Sequence, residues 1–430
     1  MSRLPLGLVL LASAVQAQEA PPPRLVLDLG LTGSQATNPD LSTPAESASD
    51  LGLRFGLAFA SVTRDQSFLL SLGAAAQSGE GLSAPGLNLS YKRQGANAAV
   101  TLTASHTDAE AGAEDALTAT GRVRDSDLAF TGQWGLQGRI GLDLSAQAHV
   151  KDYSLTTDPS VYDQASQSLG LGLTFRGLGA GDLSLSWRQT AADFDDLLQT
   201  DRESQSLSLS YLRPLDAATV LTVSLGTTEA ETRKLGLVFA RSNGLTGALA
   251  LKRQMATGSA ELGLQIERDA NGARQTLQFA RDLALASGKL SARIGYSSRS
   301  GDAGQAVGEL TWSQELPSDS LSLSLSRQVA LNEDEADTLR STLGASWSHK
   351  LGENSQLGLS WGLSSLISAG TAAVDDATRQ SLTASYGRAL TPDWALRAGV
   401  TLTEIDRETT GTASDAAVFV TIGRKFVLLP

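Results

Sequence analysis

The chain has no cysteine. That excludes thiolate catalysis, Cys-ligated metal centres and any disulfide framework. A chain of 430 residues must then be held by its backbone ladder and by packing. Basic residues are in the minority: 34 Lys and Arg stand against 46 Asp and Glu, for a net charge of −12. Phosphate backbones need a basic footprint, so no nucleic-acid partner is expected. Aromatic residues make up 5% and apolar residues 41% of the chain, the latter below the roughly 45–50% of an ordinary globular domain. Beyond the N-terminus no stretch reaches the ~18 consecutive apolar residues of a spanning helix. No segment shows sustained helical periodicity.

Motifs for chemistry are scarce too. The 3 histidines, His106, His149 and His349, sit on separate segments without metal-ligand spacing. His106 and Asp108 share a face, which reads as a solvated pair rather than a catalytic one. No G-x-S-x-G elbow occurs. The glycine-rich "GLGAG" from Gly177 is followed by no helix that could cradle phosphate. The acidic segments lack EF-hand spacing. No enzymatic activity, cofactor or metal is therefore expected.

What the chain does have is alternation. Residues 1–17 read as a signal peptide, with Arg3, the apolar run "LPLGLVLLASAV" and a small-residue cleavage site at Ala17. Residues 18–23 read as a short extended segment. From residue 24 to 430 the pattern has period two. "RLVLDLGLTG" places Leu25, Leu27, Leu29 and Leu31 on one face. "DLGLRFGLAFA" does the same with Leu51, Leu53, Phe55, Leu57 and Phe59, leaving Gly52, Arg54, Gly56 and Ala58 opposite. Successive strand side chains point to opposite faces, so this is strand patterning. About 22 such segments are counted, with a range of roughly 18–24. Residues 115–136 and 233–254 each parse either as one long strand or as a tight hairpin.

Connectors fall into two classes. Short ones lie around Leu215, Leu283, Pro317, Gly352 and Pro392; longer acidic ones follow Ser34, Thr107, Leu155, Asp193, Asn332 and Ala369. A soluble sandwich uses strands of about five or six residues, and a solenoid needs a fixed short repeat. Strands of about 9–11 residues, an apolar outer face and no open edge describe a membrane barrel. The fold expected is a single antiparallel, up-and-down transmembrane β-barrel with short periplasmic turns and longer extracellular loops. Tyr91, Tyr211, Trp312, Trp347, Tyr386 and Trp394 share the leucine phase near the short turns, as an interfacial girdle would. Trp187 and Tyr296 are expected near the long loops, and Trp361 near mid-strand.

With leucine outward, the inner face is Gly, Ala, Ser and Thr with scattered charge. Arg54, Lys92, Arg122, Arg176, Arg188, Arg293, Arg340 and Arg397 are expected to face the lumen, with Asp28, Asp143, Glu261 and Glu309 as inward acids. Residues 34–49 are the loop best placed to fold inward.

The chain resembles bacterial outer-membrane β-barrel proteins of the porin type over residues 24–430. The most specific element is terminal. Thr421, Gly423, Phe426 and Leu428 match the polar, glycine, aromatic and hydrophobic positions of the β-signal of that class, with Leu429 and Pro430 following. The resemblance implies export, a bacterial outer-membrane location, contact with lipid and lipopolysaccharide, and recognition by the barrel assembly machinery. With its small-residue lining and excess of inward bases, such a barrel is expected to be a channel for passive diffusion of small hydrophilic solutes, mildly favouring anions. The alternative is a non-conducting surface barrel for adhesion, anchoring or polysaccharide export. Arg424 falls on the lipid phase and is expected to snorkel at the periplasmic interface.

Overall fold

The computed structural model describes residues 23–39, 41, 45–77, 81–110, 122–154, 162–178, 180–299, 304–331, 337–368, 376–408 and 411–429. The expected signal peptide lies outside them, as does most of the 18–23 segment. Among the described residues there is no helix. The strands are β1 (Arg24–Ala36), β2 (Ala48–Val62), β3 (Gln66–Gln77), β4 (Gly81–Gln94), β5 (Ala98–Glu110), β6 (Arg122–Trp134), β7 (Ile140–Ser154), β8 (Gln164–Leu178), β9 (Gly181–Phe194), β10 (Asp201–Pro214) and β11 (Thr219–Lys234). They continue with β12 (Leu237–Met255), β13 (Gly258–Asp269), β14 (Gly272–Leu285), β15 (Gly288–Arg299), β16 (Gln305–Glu315), β17 (Asp319–Leu331), β18 (Asp337–Gly352), β19 (Ser355–Ser368), β20 (Ala377–Ala389), β21 (Trp394–Arg407) and β22 (Gly411–Leu429).

Each strand pairs antiparallel with its sequence neighbours, and β22 pairs with β1 to close the 22-stranded sheet. Closure removes the open edge that lipid would not tolerate. The register keeps the leucine phase continuous around the wall: Leu29 lies opposite Phe55, Leu57 opposite Leu72, and Leu70 opposite Leu89. Leu225 and Leu245 on this phase are 70% and 79% exposed, as a lipid-facing row of side chains is expected to be. This is the architecture of an outer-membrane barrel.

Strands run from 11 to 19 residues, longer than the ~9–11 needed to cross the apolar band. The excess projects at the long-loop end. There the outer phase of β11 changes from Leu221, Val223 and Leu225 to Glu229, Glu231 and Arg233, and β12 sets Arg241 beside Glu229 and Glu231. That charge ladder marks where the lipid-facing surface ends.

Long and short connectors do not alternate strictly. At the long-loop end β11 and β12 are joined only by Leu235 and Gly236, and β13 and β14 only by Ala270 and Asn271. The ambiguous 233–254 stretch is thus a tight hairpin tip followed by one long strand. Leu235 and Gly236 have φ of 51° and 73°, the pair of positive values a two-residue hairpin turn of this twist requires. In the other ambiguous stretch, β6 is one strand from Arg122; what precedes it lies outside the described residues.

The wall is also uneven. β12 pairs with β11 from Leu237 onward but with β13 only from Gly247, and β16 pairs with β17 only from Gly308 although β17 follows β18 up to Leu331. β13–β16 therefore form a low panel between two seams. Gly244, at φ 151°, lets the Arg268 guanidinium lie across the first seam: a Cβ there would stand 2.8 Å from Nη2. From that position Arg268 Nη1 donates to Ser242 Oγ at 2.7 Å.

Candidate functional site

The inner face is the candidate site, because the pleat that sends leucine outward sends the small polar residues and scattered charges inward. Hydroxyl pairs tile it across neighbouring strands, with Ser186 against Ser208 (2.7 Å), Thr190 against Ser204 (2.6 Å) and Ser322 against Ser346 (2.6 Å).

Of the eight bases expected in the lumen, seven lie on this small-residue phase. Arg54 sits opposite Gly30 and Ala75, Lys92 opposite Ser67 and Thr101, and Arg188 opposite Gly170 and Ser206. Arg340 sits opposite Gln328 and Leu366. Arg176 caps the β6–β7 turn, its Nη1 donating to the carbonyls of Gly135 and Gly138 at 2.5 and 2.9 Å. Arg293 faces Glu309 at 3.9 Å, and Arg397 lies 5.9 Å from the centroid of an inward ring, Phe419. Arg122 is the exception. The register places it in the phase of Leu128 and Phe130, the outer one, where its Nε donates to Asp108 at 2.9 Å. The valine beside it, Val123, takes the inner phase and is buried at the rim.

The inner acids are more numerous than expected, since Asp125 and Asp127 join Asp28, Asp143, Glu261 and Glu309. Lys252 stands 4.0 Å from Glu261. The wall is thus a mixed-charge surface rather than a ring of bases. His106 and Asp108 are not brought together: His106 Nδ1 pairs with Ser126 Oγ at 2.8 Å, while Asp108 is held by Arg122 and Arg124.

A cavity of about 580 Å³ opens on the inner wall toward the long-loop end. Its lining includes Asp127, His149, Ser168, Thr190, Arg202 and Thr232 from β6–β11, and Arg268 and Asp269 from the β13–β14 tip. Sequence reasoning missed the juxtaposition of Asp127 with His149. They are direct cross-strand partners, standing equally far from Gly138 on either side of the turn.

At the rim of the low panel, charges are buried. Arg299 grips Asp269 through two nitrogens at 2.5 and 2.6 Å and reaches Asp337 at 3.3 Å; Arg274 reaches the same Asp337 oxygen at 2.5 Å. The side chains of Arg299, Asp337 and Arg274 are 7%, 11% and 14% exposed. Asp337 opens β18, so the cluster spans the gap that the short β16 leaves. Of the 34–49 loop, the described part is tied to β22. Asp415 Oδ1 accepts the N–H of Thr37 and of Asn38 at 3.0 and 2.7 Å, and Asn38 and Leu41 are buried.

No protein-family model and no curated protein matches this sequence. Solved structures do. The barrel is similar to the FrpB iron transporter of Neisseria meningitidis, at 9% identity and a TM-score of 0.59, covering 93% of this chain and 82% of that one. It is also similar to the siderophore receptor PirA of Pseudomonas aeruginosa, at 13% identity and a TM-score of 0.52, covering 94% and 80%. A third similar structure is the ferric enterobactin receptor PfeA of Pseudomonas aeruginosa in complex with enterobactin, at 9% identity and a TM-score of 0.55, covering 94% and 81%. At such identities the likeness is one of fold. It corrects the porin-type expectation: these structures are an iron transporter and siderophore receptors, not passive diffusion channels. The closed barrel with its leucine-bearing outer face supports an outer-membrane location.

Proposed function

We propose that this chain is the barrel of a receptor-type uptake protein for an iron chelate. The observation that carries the reading is the fold match over 93% and 94% of the chain to an iron transporter and two siderophore receptors. Strand number supports it, because barrels of 22 strands belong to outer-membrane transporters that hold their lumen closed rather than to open porins. The inner wall suits such cargo: hydroxyls and mixed charge satisfy a polar chelate without binding it irreversibly. Lipid and lipopolysaccharide would surround the leucine face. The terminal residues Thr421, Gly423, Phe426 and Leu428 would present the closing strand to the barrel assembly machinery.

The test is uptake of radiolabelled ferric chelates by iron-starved cells with and without the gene. Loss of uptake for one chelate, restored by the intact gene, is expected. Unchanged uptake across a broad chelate panel, together with no binding to the purified barrel, would overturn the reading.

A further inference from the structure

Two carboxylates and one imidazole converge on the inner wall. Asp125 and Asp127 are two residues apart on β6 and so share a face; His149 on β7 is the direct partner of Asp127. His149 Nδ1 lies 3.0 Å from Asp127 Oδ1 and 3.5 Å from Asp125 Oδ1, and one ligand atom from each residue falls within a 4.8 Å cluster. A single imidazole N–H has one direction in which to donate. It can serve Asp127, while the Asp125 carboxylate approaches the same nitrogen from the next inward position, with Lys151 across the ladder. A cation satisfies all three. Ligand atoms about 2.0–2.2 Å from a first-row metal, at tetrahedral or octahedral angles, stand about 2.8–3.6 Å apart, and both distances from His149 Nδ1 fall in that range. The nearby Lys151, opposite Asp125, carries its ammonium 5.0 Å from the Tyr153 ring centroid. Asp127 and His149 also line the 580 Å³ cavity, so the open coordination positions would face the lumen and its water.

We propose that Asp125, Asp127 and His149 form a site for a divalent first-row transition ion, with one nitrogen and two oxygen donors. The donor set favours ions such as Zn²⁺, Co²⁺ or Fe²⁺ over Ca²⁺ or Mg²⁺, which take oxygen alone. The site does not depend on the uptake reading. A chelate carries its metal already coordinated, whereas this wall offers donors to a bare or part-hydrated ion.

The experiment uses the full chain folded in detergent micelles, stripped with a chelator and titrated with Zn²⁺ by calorimetry and with Co²⁺ by visible absorption. One equivalent is expected to bind, with Co²⁺ bands that Zn²⁺ displaces. His149→Gln and Asp127→Asn are each expected to weaken binding by more than about 100-fold, beyond the usual effect of losing an outer partner. Folding of each variant is followed by the heat-modifiable gel mobility of the barrel. His106→Gln, which alters an outer-phase histidine, is expected to leave the titration unchanged. Absence of stoichiometric binding overturns the proposal. So does equal binding by a folded His149→Gln protein, or loss of binding in His106→Gln.

Discussion

At the short-turn end several hairpins close on their own residues, although Arg176 reaches across to the β6–β7 turn. Thr63 Oγ1 accepts the N–H of Gln66 at 3.2 Å, Thr391 Oγ1 that of Trp394 at 3.1 Å, and Asp216 Oδ1 those of Ala218 and Thr219 at 2.7 and 2.8 Å. At the long-loop end the fastenings reach far along the chain. Arg274 and Asp337 are 63 residues apart, and Asn38 and Asp415 are 377 apart. The buried residues collect at this end as well, among them Leu339, Ile405, Ala230 and Thr232. The contrast has a physical cause. Near the turns the strands are held by the ladder, by lipid and by chain connectivity. Beyond the lipid the strands still need a reason to stay in register, and buried charge pairs and rim packing supply it.

The sharpest way to break this contrast is at the low panel. Replacing Arg299 with Ala strips both Asp269 and Asp337 of a buried partner. Removing one side of a buried pair costs about 3–5 kcal/mol, and that loss is expected in denaturant unfolding from lipid vesicles. Arg293→Ala is the control. Its pair with Glu309 is 3.9 Å long, with side chains 54% and 58% exposed, so at most about 1 kcal/mol is expected. Equal losses in the two variants would mean that the rim cluster is ornamental.

A smaller effect is expected at the opposite end, in the aromatic girdle. Arg424 pairs across the ladder with Leu29 and with Trp394, the first residue of β21. Its guanidinium carbon lies 5.4 Å from the Trp394 ring centroid and 4.5 Å from that of Phe426. Arg424 therefore sits at the short-turn interface, where an outward arginine can reach water along aromatic faces. Arg424→Ala is expected to cost about 0.5–1 kcal/mol in the same unfolding measurement, with Arg424→Lys recovering part. A loss rivalling that of Arg299→Ala would put a long-range fastening at the wrong end.

The difference between the ends also governs what could be read from the sequence. Period-two alternation, the strand number, the short turns and the placement of Tyr91, Tyr211, Trp312, Trp347, Tyr386 and Trp394 were legible, because each depends on neighbours in the chain. Trp187 was expected too high; it lies opposite Leu171 and Leu207, near mid-strand. The tip at Ala270-Asn271 is followed by Gly272 with positive φ, a local turn signal, but Leu235-Gly236 carried none, since leucine is a poor residue for positive φ. The phase of Arg122 was misread because Val123, an apolar residue at the rim, packs inward instead of meeting lipid. The Asp125, Asp127 and His149 cluster was invisible to a search for local spacing. Its members meet only once the β6–β7 register is set.

The smallest expected effect tests whether the short turns really are self-contained. The exposed Asp216 carboxyl is held below the usual carboxylate range, chiefly by the Ala218 N–H, then by Thr219, with Arg253 adding a smaller pull. A depressed value in the folded protein gives a stabilisation that is complete above the ordinary range. It is lost as pH falls through the folded value. Asp216→Ala should therefore lower the exchange protection of the Ala218 and Thr219 amides at neutral pH. Wild type and variant should converge only in strong acid, and amides of the other turns should not respond. Loss of protection at the neighbouring turns in the same variant would show that the short-turn end is fastened cooperatively, as the outer rim is.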